Sequence, residues 1–548
     1  MIKHRTLISD YIFLGAIIAI VTLQPYFMHG SINFYETGLY LPQINELFHG
    51  KALYRDMFIL RGPLEMLMPM SMMAIFGKHI GVLNAYFYFG TVLTLIICAI
   101  FALKIFRTRG FVYLFALVLT ARTFPWSCYN VWGGIRFGLG ISAIMLAANF
   151  LNKKKGLWLF LAGAMSGLAF WTSFEIGAFS FISVISMICL YSYFESKDMR
   201  SILRYAPVYI SGFFIASAPF IVYLFLNNAF VSYVDTVKIV LTRMTDVFNV
   251  SLDFDTPKNF KEFLMSAVMP FNHNFKYTLP FFFYILIGAL ILKKIIKRKI
   301  AVSDIIVISI VIYGAFLYRG AFRDIEGPQY RMALQPLLLV MFLYIEEAYL
   351  FIKKKAGILT GYKKALAIFL MVLIPLYSVA FSFAKYDKRF FIFKEVKSLV
   401  LKKSHAAIPY ADPFPEAIKS ERAKGIVVPG PQAEEMDNVI RYISSRVKAR
   451  DIVFTFPELG AYNFLTDTQP LGRFYSAEFS FIIPEWFNEM MADLKDKKPD
   501  FVICARDFSR LEPYRPTLGK YLDEVNGYLN ENYRVAAAYS AVNILKRR

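Results

Sequence analysis

The chain has 548 residues and a formal net charge of +21; 57% of the residues are hydrophobic, 17% aromatic and only 18% charged. In soluble domains about a quarter of the residues are charged. This composition, with a mean hydropathy of +0.47, therefore excludes a soluble fold. The positive charge falls in short runs between apolar stretches, as in cytoplasmic membrane loops, which predicts a lipid bilayer and no nucleic acid as the partner.

Eleven apolar segments predict membrane-crossing helices, and six basic clusters separate them. Because such clusters mark cytoplasmic loops, the helices cross in pairs between them, which places the N-terminus inside and the C-terminus outside. The first segment is interpreted as a retained helix, since no small-residue cleavage site follows it. The segments are 9–28, 80–103, 110–127, 131–151, 157–173, 176–194, 206–226, 277–292, 302–318, 332–351 and 365–384.

The remaining segments are predicted to lie outside. Residues 64–77 are apolar but short and contain Glu65, so they predict a juxtamembrane helix that does not cross. Strand-like runs alternate with charged helical stretches near the C-terminus, at 426–428, 451–456 and 501–505, which indicates a small α/β domain. The predicted fold is therefore an α-helical polytopic domain over 1–386, with external loops 29–79, 227–276 and 319–331, followed by an extracytoplasmic α/β domain over 387–548.

The first external loop contains charged residues next to the membrane. Glu36 follows the first span closely, and a carboxylate near hydrocarbon usually faces a cavity, although an interfacial acid in water is the alternative. Arg55 and Arg61 are candidates for binding a phosphate, because the guanidinium group matches phosphate geometry. The alternative for both arginines is snorkelling to the interface, or pairing with Asp56 and Glu65.

Further candidates lie at the outer ends of later spans. Positive residues are sparse on the outer side, so the group around 319–331 indicates a site for an anionic ligand; a self-paired surface loop is the alternative. The group consists of Arg319, Arg323, Asp324 and Arg331. Less certain contributors are Arg136, Glu175 and His273, for which a solvated helix end or an interfacial position is the alternative. Asp253 and Asp255 are interpreted as a loop pair, and no Walker, Rossmann or zinc spacing is present in the sequence.

The first loop resembles that of the GT-C class of membrane glycosyltransferases, which includes protein O-mannosyltransferases and lipid A aminoarabinose transferases. The match is carried by an acid-x-Gly-x-Tyr stretch, a Tyr-Arg-Asp triplet and a Gly-Pro-Leu turn: Glu36, Gly38, Tyr40, Tyr54, Arg55, Asp56, Gly62, Pro63 and Leu64. The resemblance implies transfer of a sugar from a polyprenyl-phosphate donor to a glycan, lipid or protein acceptor on the outer face of a bacterial cytoplasmic membrane. It gives Glu36 the role of general base or acceptor-positioning group, and we expect Tyr40, Arg55, Asp56 and Arg61 to line the substrate cavity.

The sequence departs from the family pattern at several positions. Glu36 replaces the usual Asp, Thr37 replaces the following acid, and Tyr330 stands where many relatives have a His. Several relatives also have an Asp around the second external loop, where this chain has Arg136, so a divalent metal is left open as a possible cofactor. The alternatives are a catalytically inactive relative and a transporter or flippase of a lipid-linked saccharide. A transporter commonly has broken helices in two related halves, which these spans do not show.

Overall fold

The computed structural model describes residues 7–23, 34–123, 133–248, 257–269, 275–321, 328–358, 360–383, 415–509 and 511–548. The chain divides into two compact units. The helical unit comprises residues 1–28, 87–217 and 252–410, and the mixed unit comprises residues 29–86, 218–251 and 411–548.

Each of the eleven predicted spans coincides with a helix. By length and composition, eight of the described helices can cross a membrane, which needs about 20 apolar residues. The other three are shorter, at 15, 15 and 17 residues. The polytopic α-helical fold is thus confirmed, and the helices are Ile8–Thr22, Ile80–Ile105, Arg109–Thr123, Ile135–Lys153, Gly156–Thr172, Phe174–Leu190, Arg200–Leu226, Phe275–Ile296, Val302–Ala321, Gln335–Ala356 and Gly361–Phe383.

Glycines allow two helices of the helical unit to pack with their backbones in contact. A Cβ on Gly163 would lie 1.9 Å from the carbonyl oxygen of Tyr209, and one on Gly212 would lie 2.1 Å from that of Phe160. Gly163 and Gly167 are four residues apart and therefore share a face of the Gly156–Thr172 helix, the small-residue spacing that favours close helix association in membranes.

Two buried carboxylates fix one end of the helical unit. Asp10 accepts a hydrogen bond from the Tyr113 hydroxyl at 2.6 Å and pairs with Arg109 at 3.0 Å. Glu346 accepts the backbone N–H groups of Arg107 and Thr108 at 3.0 and 2.6 Å. These donors precede the Arg109–Thr123 helix, where N–H groups lack intrahelical partners, so Glu346 anchors the basic loop at 104–109.

The mixed unit contains a four-stranded sheet. Its strands lie in the order Val453–Phe456 (β3), Phe501–Ala505 (β4), Val542–Arg547 (β6) and Tyr533–Ala538 (β5). The strands β3 and β4 are parallel, and β6 is antiparallel to both β4 and β5. The predicted runs at 426–428, 451–456 and 501–505 correspond to β2, β3 and β4, which confirms the α/β prediction. The strands are β1 Pro415–Ala417, β2 Val427–Pro429, β3 Val453–Phe456, β4 Phe501–Ala505, β5 Tyr533–Ala538 and β6 Val542–Arg547.

The helices of the mixed unit come from three separate parts of the chain. They are Phe34–Gly38, Leu41–Phe48, Pro63–Phe76, Phe230–Val247, Gly430–Ser444, Ala461–Thr466, Pro484–Lys497 and Arg515–Asn532. The structure therefore groups the first external loop and part of the second with the C-terminal residues. The domain boundary predicted at 386/387 lies outside the described residues.

The apolar segment near residue 64 forms the helix Pro63–Phe76, of 14 residues. At a rise of 1.5 Å per residue it is about 21 Å long, short of a hydrocarbon core of about 30 Å. Glu65 is fully buried in this helix and accepts a hydrogen bond from the Tyr86 hydroxyl at 3.0 Å. The residues before and after the helix belong to the same compact unit, which supports the prediction that it does not cross the membrane.

Candidate functional site

The segment that carries Glu36 lies against the C-terminal part of the mixed unit. The ring of Phe34 stacks on Tyr462 with centroids 4.9 Å apart. A Cβ on Gly38 would lie 3.5 Å from the backbone nitrogens of Gly460 and Ala461. The backbone of Glu36 lies between these two contacts, in the helix Phe34–Gly38. The side chain of Glu36 is outside the described residues, so the prediction for its carboxylate stays a prediction.

Glu46 anchors the helix Leu41–Phe48 that follows. Its carboxylate is fully buried, and it accepts Arg450 Nη2 at 2.8 Å and Lys51 Nζ at 2.7 Å. Burial by itself raises the pKa of Glu46, but the hydrogen bonds from Arg450 and Lys51 outweigh it and lower the pKa below its ordinary value. Glu46 is therefore ionised and paired, as a buried charge must be.

The Glu46–Arg450 pair is one tie, meaning a polar contact between the first external loop and the C-terminal residues. A second tie is made by Asn45, one residue earlier in the same helix. Asn45 donates from Nδ2 to Asp467 Oδ1 at 3.2 Å, and its own Oδ1 accepts Arg422 Nη1 at 3.1 Å. Arg422 also pairs with Asp467 at 2.8 Å. We call the five residues of these two ties the loop clamp: Asn45, Glu46, Arg422, Arg450 and Asp467. The clamp joins the first external loop to the C-terminal residues, and the sequence gives no local sign of it.

The Tyr-Arg-Asp triplet shapes the middle of the loop. Tyr54 is buried with a φ of 67°, and its hydroxyl donates to the backbone oxygen of Arg61 at 2.6 Å. Asp56 Oδ2 accepts the backbone N–H of Ala52 at 2.8 Å. Arg55 makes a bidentate pair with Asp56, at 2.9 and 2.7 Å, and also donates to the backbone oxygen of Asn227.

The pairing alternative for Arg55 is thus the one observed. The hydrogen bond from Arg55 is the main reason that the pKa of Asp56 lies below its ordinary value. Tyr40 and Arg61 are both buried, and Tyr40 stands directly before the Leu41–Phe48 helix. The predicted residues Tyr40, Arg55, Asp56 and Arg61 therefore all belong to one folded loop.

Phe58 fixes the far side of the loop. Its backbone N–H donates to the carbonyl oxygen of Arg473 at 2.9 Å. Its ring contacts Phe474, Phe479 and Trp486, with centroids 5.3 to 5.7 Å apart. The loop is held at several points, so its backbone is pre-organised, which is the condition for holding a reacting group in place.

In the helical unit, Arg136 is a fully buried cation at 1% exposure. It stands near the start of the Ile135–Lys153 helix, next to Gly134, whose φ is 88°. The N–H of Gly134 donates to Thr91 Oγ1 at 2.9 Å, and its carbonyl oxygen accepts Thr94 Oγ1 at 3.1 Å. Charged groups buried in membrane helices are costly, so this position favours a functional role over a solvated helix end.

Glu175 lies close to the end of the Val302–Ala321 helix. Its Oε2 is 4.0 Å from the position that a Cβ on Gly320 would take. Gly320 directly follows Arg319, which is exposed. The rings of Tyr318 and Tyr330 are 6.0 Å apart, and Arg331 is half-buried in the short helix Pro328–Ala333. The predicted Arg323, Asp324 and His273 lie outside the described residues, as do Asp253 and Asp255.

Arg122 is a candidate that the sequence interpretation missed. It lies near the end of the Arg109–Thr123 helix and interacts electrostatically with Tyr330 and Tyr377. Its neighbour Thr123 accepts a long hydrogen bond of 3.5 Å from Gln335. The signal that could have found it was a single arginine inside the otherwise apolar predicted span 110–127.

The residues that could bind a divalent metal are only partly described, since the side chain of Glu36 together with Asp253, Asp255, His273 and Asp324 lies outside the described residues. Hard cations prefer several oxygen ligands in one place. Among the residues that the structure describes, no three His, Cys, Asp or Glu side chains come together as metal ligands.

Comparison with known proteins identifies the fold. No protein-family model matches the chain, and no curated protein matches it. The chain is similar to the crystal structure of ArnT from Cupriavidus metallidurans bound to undecaprenyl phosphate, at 11% identity and a TM-score of 0.53, over 97% of each chain. This likeness shows that the chain shares the fold of ArnT, which agrees with the GT-C-like fold expected from the first loop.

Two further solved structures have lower scores. One is the apo state of the same ArnT, with a TM-score of 0.49 at 11% identity, covering 98% of this chain and 97% of that one. The other is the archaeal oligosaccharyltransferase AglB from Archaeoglobus fulgidus, in complex with an inhibitory peptide and a dolichol-phosphate. Its TM-score is 0.48 at 12% identity, covering 98% of this chain and 74% of that one.

Proposed function

We propose that this protein is an integral membrane glycosyltransferase that transfers a sugar from a polyprenyl-phosphate-linked donor to a glycan, lipid or protein acceptor. The observation that supports it most is the fold shared over 97% of the chain with ArnT, whose structure contains undecaprenyl phosphate. A polyprenyl phosphate carrier agrees with a chain that has eight helices able to cross a membrane among its described residues.

The proposed chemistry begins at the first loop. The acceptor hydroxyl attacks the anomeric carbon of the donor sugar, Glu36 takes the hydroxyl proton, and the polyprenyl phosphate leaves with the electron pair of the broken C–O bond. The clamp at Glu46 and the hydrogen bond from Tyr54 to Arg61 hold the backbone around these groups. Tyr40, Arg61 and Asp56 are the proposed substrate contacts of the loop. Arg55 is proposed to bind the donor phosphate while its guanidinium group stays paired with Asp56.

The departing phosphate gains negative charge during transfer, which nearby cations stabilise. We assign this role to Arg319, Arg323 and Arg331, with Asp324 orienting them, and add the buried Arg136 and the half-buried Arg122. Glu175 and His273 remain candidates for orienting the acceptor. No role in chemistry is assigned to Tyr330, because its hydroxyl is a poor base at neutral pH.

The proposed orientation places the mixed unit outside the cytoplasmic membrane of a bacterium. Residues 29–86, 218–251 and 411–548 form one compact unit, which supports placing the parts of these segments that lie outside the predicted spans on one face. Six predicted spans separate the first two segments, and four separate the last two; both numbers are even, as a common face requires. The basic clusters then place the opposite face, and the N-terminus, in the cytoplasm.

The test is to follow radiolabelled polyprenyl phosphosugars in membranes with and without the protein. We expect label to move from the lipid into an acceptor only when the protein is present. Glu36→Gln keeps the shape of the side chain but removes the base, so we expect transfer to fall at least about a hundredfold. Glu36→Asp, which restores the family's residue, is expected to retain measurable transfer.

Glu512→Gln is the matched control, because Glu512 is an exposed acid of the mixed unit, paired only with Arg515 among the described residues. It should transfer sugar at the wild-type rate. Movement of the intact labelled lipid between leaflets without transfer would favour the flippase alternative. A normal rate in Glu36→Gln would refute the role of Glu36.

A further inference from the structure

A cavity of about 290 Å³ opens at the end of the helical unit that carries the basic loops. Its walls come from the helices Ile80–Ile105, Ile135–Lys153, Phe275–Ile296, Val302–Ala321 and Gln335–Ala356. The loops at 104–109 and 293–299 border it, so by the charge rule it faces the cytoplasm. All of its lining residues belong to the helical unit, so it is distinct from the first-loop site of the mixed unit, and its proposed role does not depend on the transferase function.

The mouth of the cavity is charged. Lys294 pairs with Asp304 at 2.5 Å, and Arg107 pairs with Glu347 at 3.6 Å. Lys104 is a third cation in the lining. Three cations against two carboxylates leave the lining with one net positive charge, and Asn149 and Asn152 add amide groups.

The inner wall of the cavity is apolar. It is formed by buried and half-buried side chains of the surrounding helices: Phe101, Ile105, Met145, Ala148, Ile306 and Leu343. A volume of about 290 Å³ is close to the lower end of small-ligand pockets, about 300–1,000 Å³, which suits a phosphodiester headgroup rather than a long saccharide. One end of the cavity thus suits a charged group and the other suits hydrocarbon.

The cavity is also held in shape. The backbone of Arg107 is fixed by Glu346, whose carboxylate is fully buried. Asp304 accepts the backbone N–H of Ala301 at 3.0 Å as well as Lys294, which fixes the start of the Val302–Ala321 helix. A pre-formed site binds a ligand without first ordering its side chains.

We propose that this cavity binds the phosphodiester headgroup of a membrane phospholipid. The phosphate lies by Lys104 and Arg107, and the acyl chains leave along the apolar wall. Arginine offers a planar pair of donors that fits two phosphate oxygens. A phospholipid is favoured over a soluble phosphate ester because the apolar wall would otherwise face water at a membrane surface.

The test measures binding of phosphatidylglycerol with a fluorescent acyl chain to the purified full-length chain in nonionic detergent. Lys104→Gln removes the cation and keeps most of the side chain, so we expect binding at least about tenfold weaker, since a hydrogen bond to a charged group contributes about 1.5–3 kcal/mol. Lys155→Gln is the matched control. Lys155 is exposed on the same basic face but does not line the cavity, and binding should be unchanged.

A second variant tests the volume rather than the charge. Ser303 is exposed at the mouth, so Ser303→Phe should fold normally and obstruct the cavity, again weakening binding about tenfold or more. Wild-type binding in both Lys104→Gln and Ser303→Phe would overturn the proposal. Equal competition by glycerol 3-phosphate and by unlabelled phosphatidylglycerol would overturn the assignment to a lipid. Thermal unfolding midpoints close to that of the wild type confirm that each variant is folded.

Discussion

At the scale of single residues, Glu46 has the most informative environment in the first external loop. It is fully buried between Lys51 and Arg450, whose side chains are 25% and 26% exposed. Removing one partner of a buried pair leaves uncompensated charge. The position of the loop that carries Glu36 therefore depends on a carboxylate that takes no part in the proposed chemistry.

We predict that Glu46→Gln destabilises the mixed unit. Breaking a buried pair typically costs about 3–5 kcal/mol, and because both cations are partly exposed we expect about 2 kcal/mol here. The thermal unfolding midpoint of the full-length chain measures the loss. Glu512→Gln, which breaks an exposed pair with Arg515, is the control and should change the free energy of unfolding by less than about 0.5 kcal/mol.

The pH dependence of stability checks the same residue. The folded state lowers the pKa of Glu46 from its ordinary value of 4.5. Its stabilisation is therefore complete above pH 4.5 and is lost as the pH falls below that value through the folded pKa. The difference in unfolding midpoint between wild type and Glu46→Gln should shrink in this acidic range; a constant difference would contradict the ionised pair.

Arg331 allows a residue-scale test of donor binding. We predict that Arg331→Ala raises KM for the polyprenyl-phosphate donor about tenfold or more, since a charge-assisted hydrogen bond contributes about 1.5–3 kcal/mol. Arg331→Lys should recover only part of the loss, because the bidentate fork is missing. The control is Lys299→Ala, because Lys299 stands before the Val302–Ala321 helix whereas Arg331 stands after it. An unchanged donor KM in Arg331→Ala would show that Arg331 has no part in donor binding.

At the scale of helices, packing depends on small residues as much as on apolar ones. The Gly156–Thr172 and Arg200–Leu226 helices approach so closely that a single added methyl group would overlap a backbone carbonyl. Dispersion and close packing drive helix association in lipid, where apolar burial provides little. Both helices are apolar enough to be recognised from the sequence, but their contact is decided by where the glycines lie.

We predict that Gly163→Ala separates this helix pair. The new Cβ would lie 1.9 Å from the Tyr209 oxygen, so the helices must shift, at about 3 kcal/mol, the upper part of the usual range for overpacking. Gly288→Ala is the control, since a Cβ there meets no described atom within 4 Å, and it should be neutral or slightly stabilising. Thermal unfolding of the purified variants separates the two, and equal midpoints would show that the helix pair tolerates the shift.

At the scale of the whole molecule, the membrane topology limits which segments of the chain can fold together in one unit. The mixed unit is assembled from three segments of the chain, and we propose that their loops lie on the same face of the membrane. This agrees with the even number of predicted spans between them. It also explains why a crossing at Pro63–Phe76 would conflict with the fold, since residues on both sides of that helix belong to the mixed unit.

Reporter fusions test this topology. A reporter active only outside the cytoplasm should be active when fused to the C-terminus and inactive when fused after Lys299, because the basic cluster there marks a cytoplasmic loop. The reverse result for either fusion would refute the eleven-span topology together with the proposed outer location of Glu36.

The sequence by itself determined the elements whose signal is local. Hydropathy and charge add up along a segment, so each of the eleven predicted spans falls on a helix, and apolar runs of strand length coincide with β2, β3 and β4. The strand β5, with the sequence YRVAAA, was not predicted, because most of its residues are exposed and it pairs only through the backbone with β6. The motif around Glu36 was recognisable because its residues lie within one loop.

Only the tertiary structure decided which distant residues meet. Glu46 and Arg450 are 404 residues apart, and Arg422 reaches Asn45 over 377 residues; no periodicity connects such positions. The tertiary structure also pairs Arg55 with Asp56. It brought Arg122 to Tyr330, which lies on another helix. The physical reason is that a buried charge requires a partner, but the sequence specifies only the charge, and the folded backbone selects the partner.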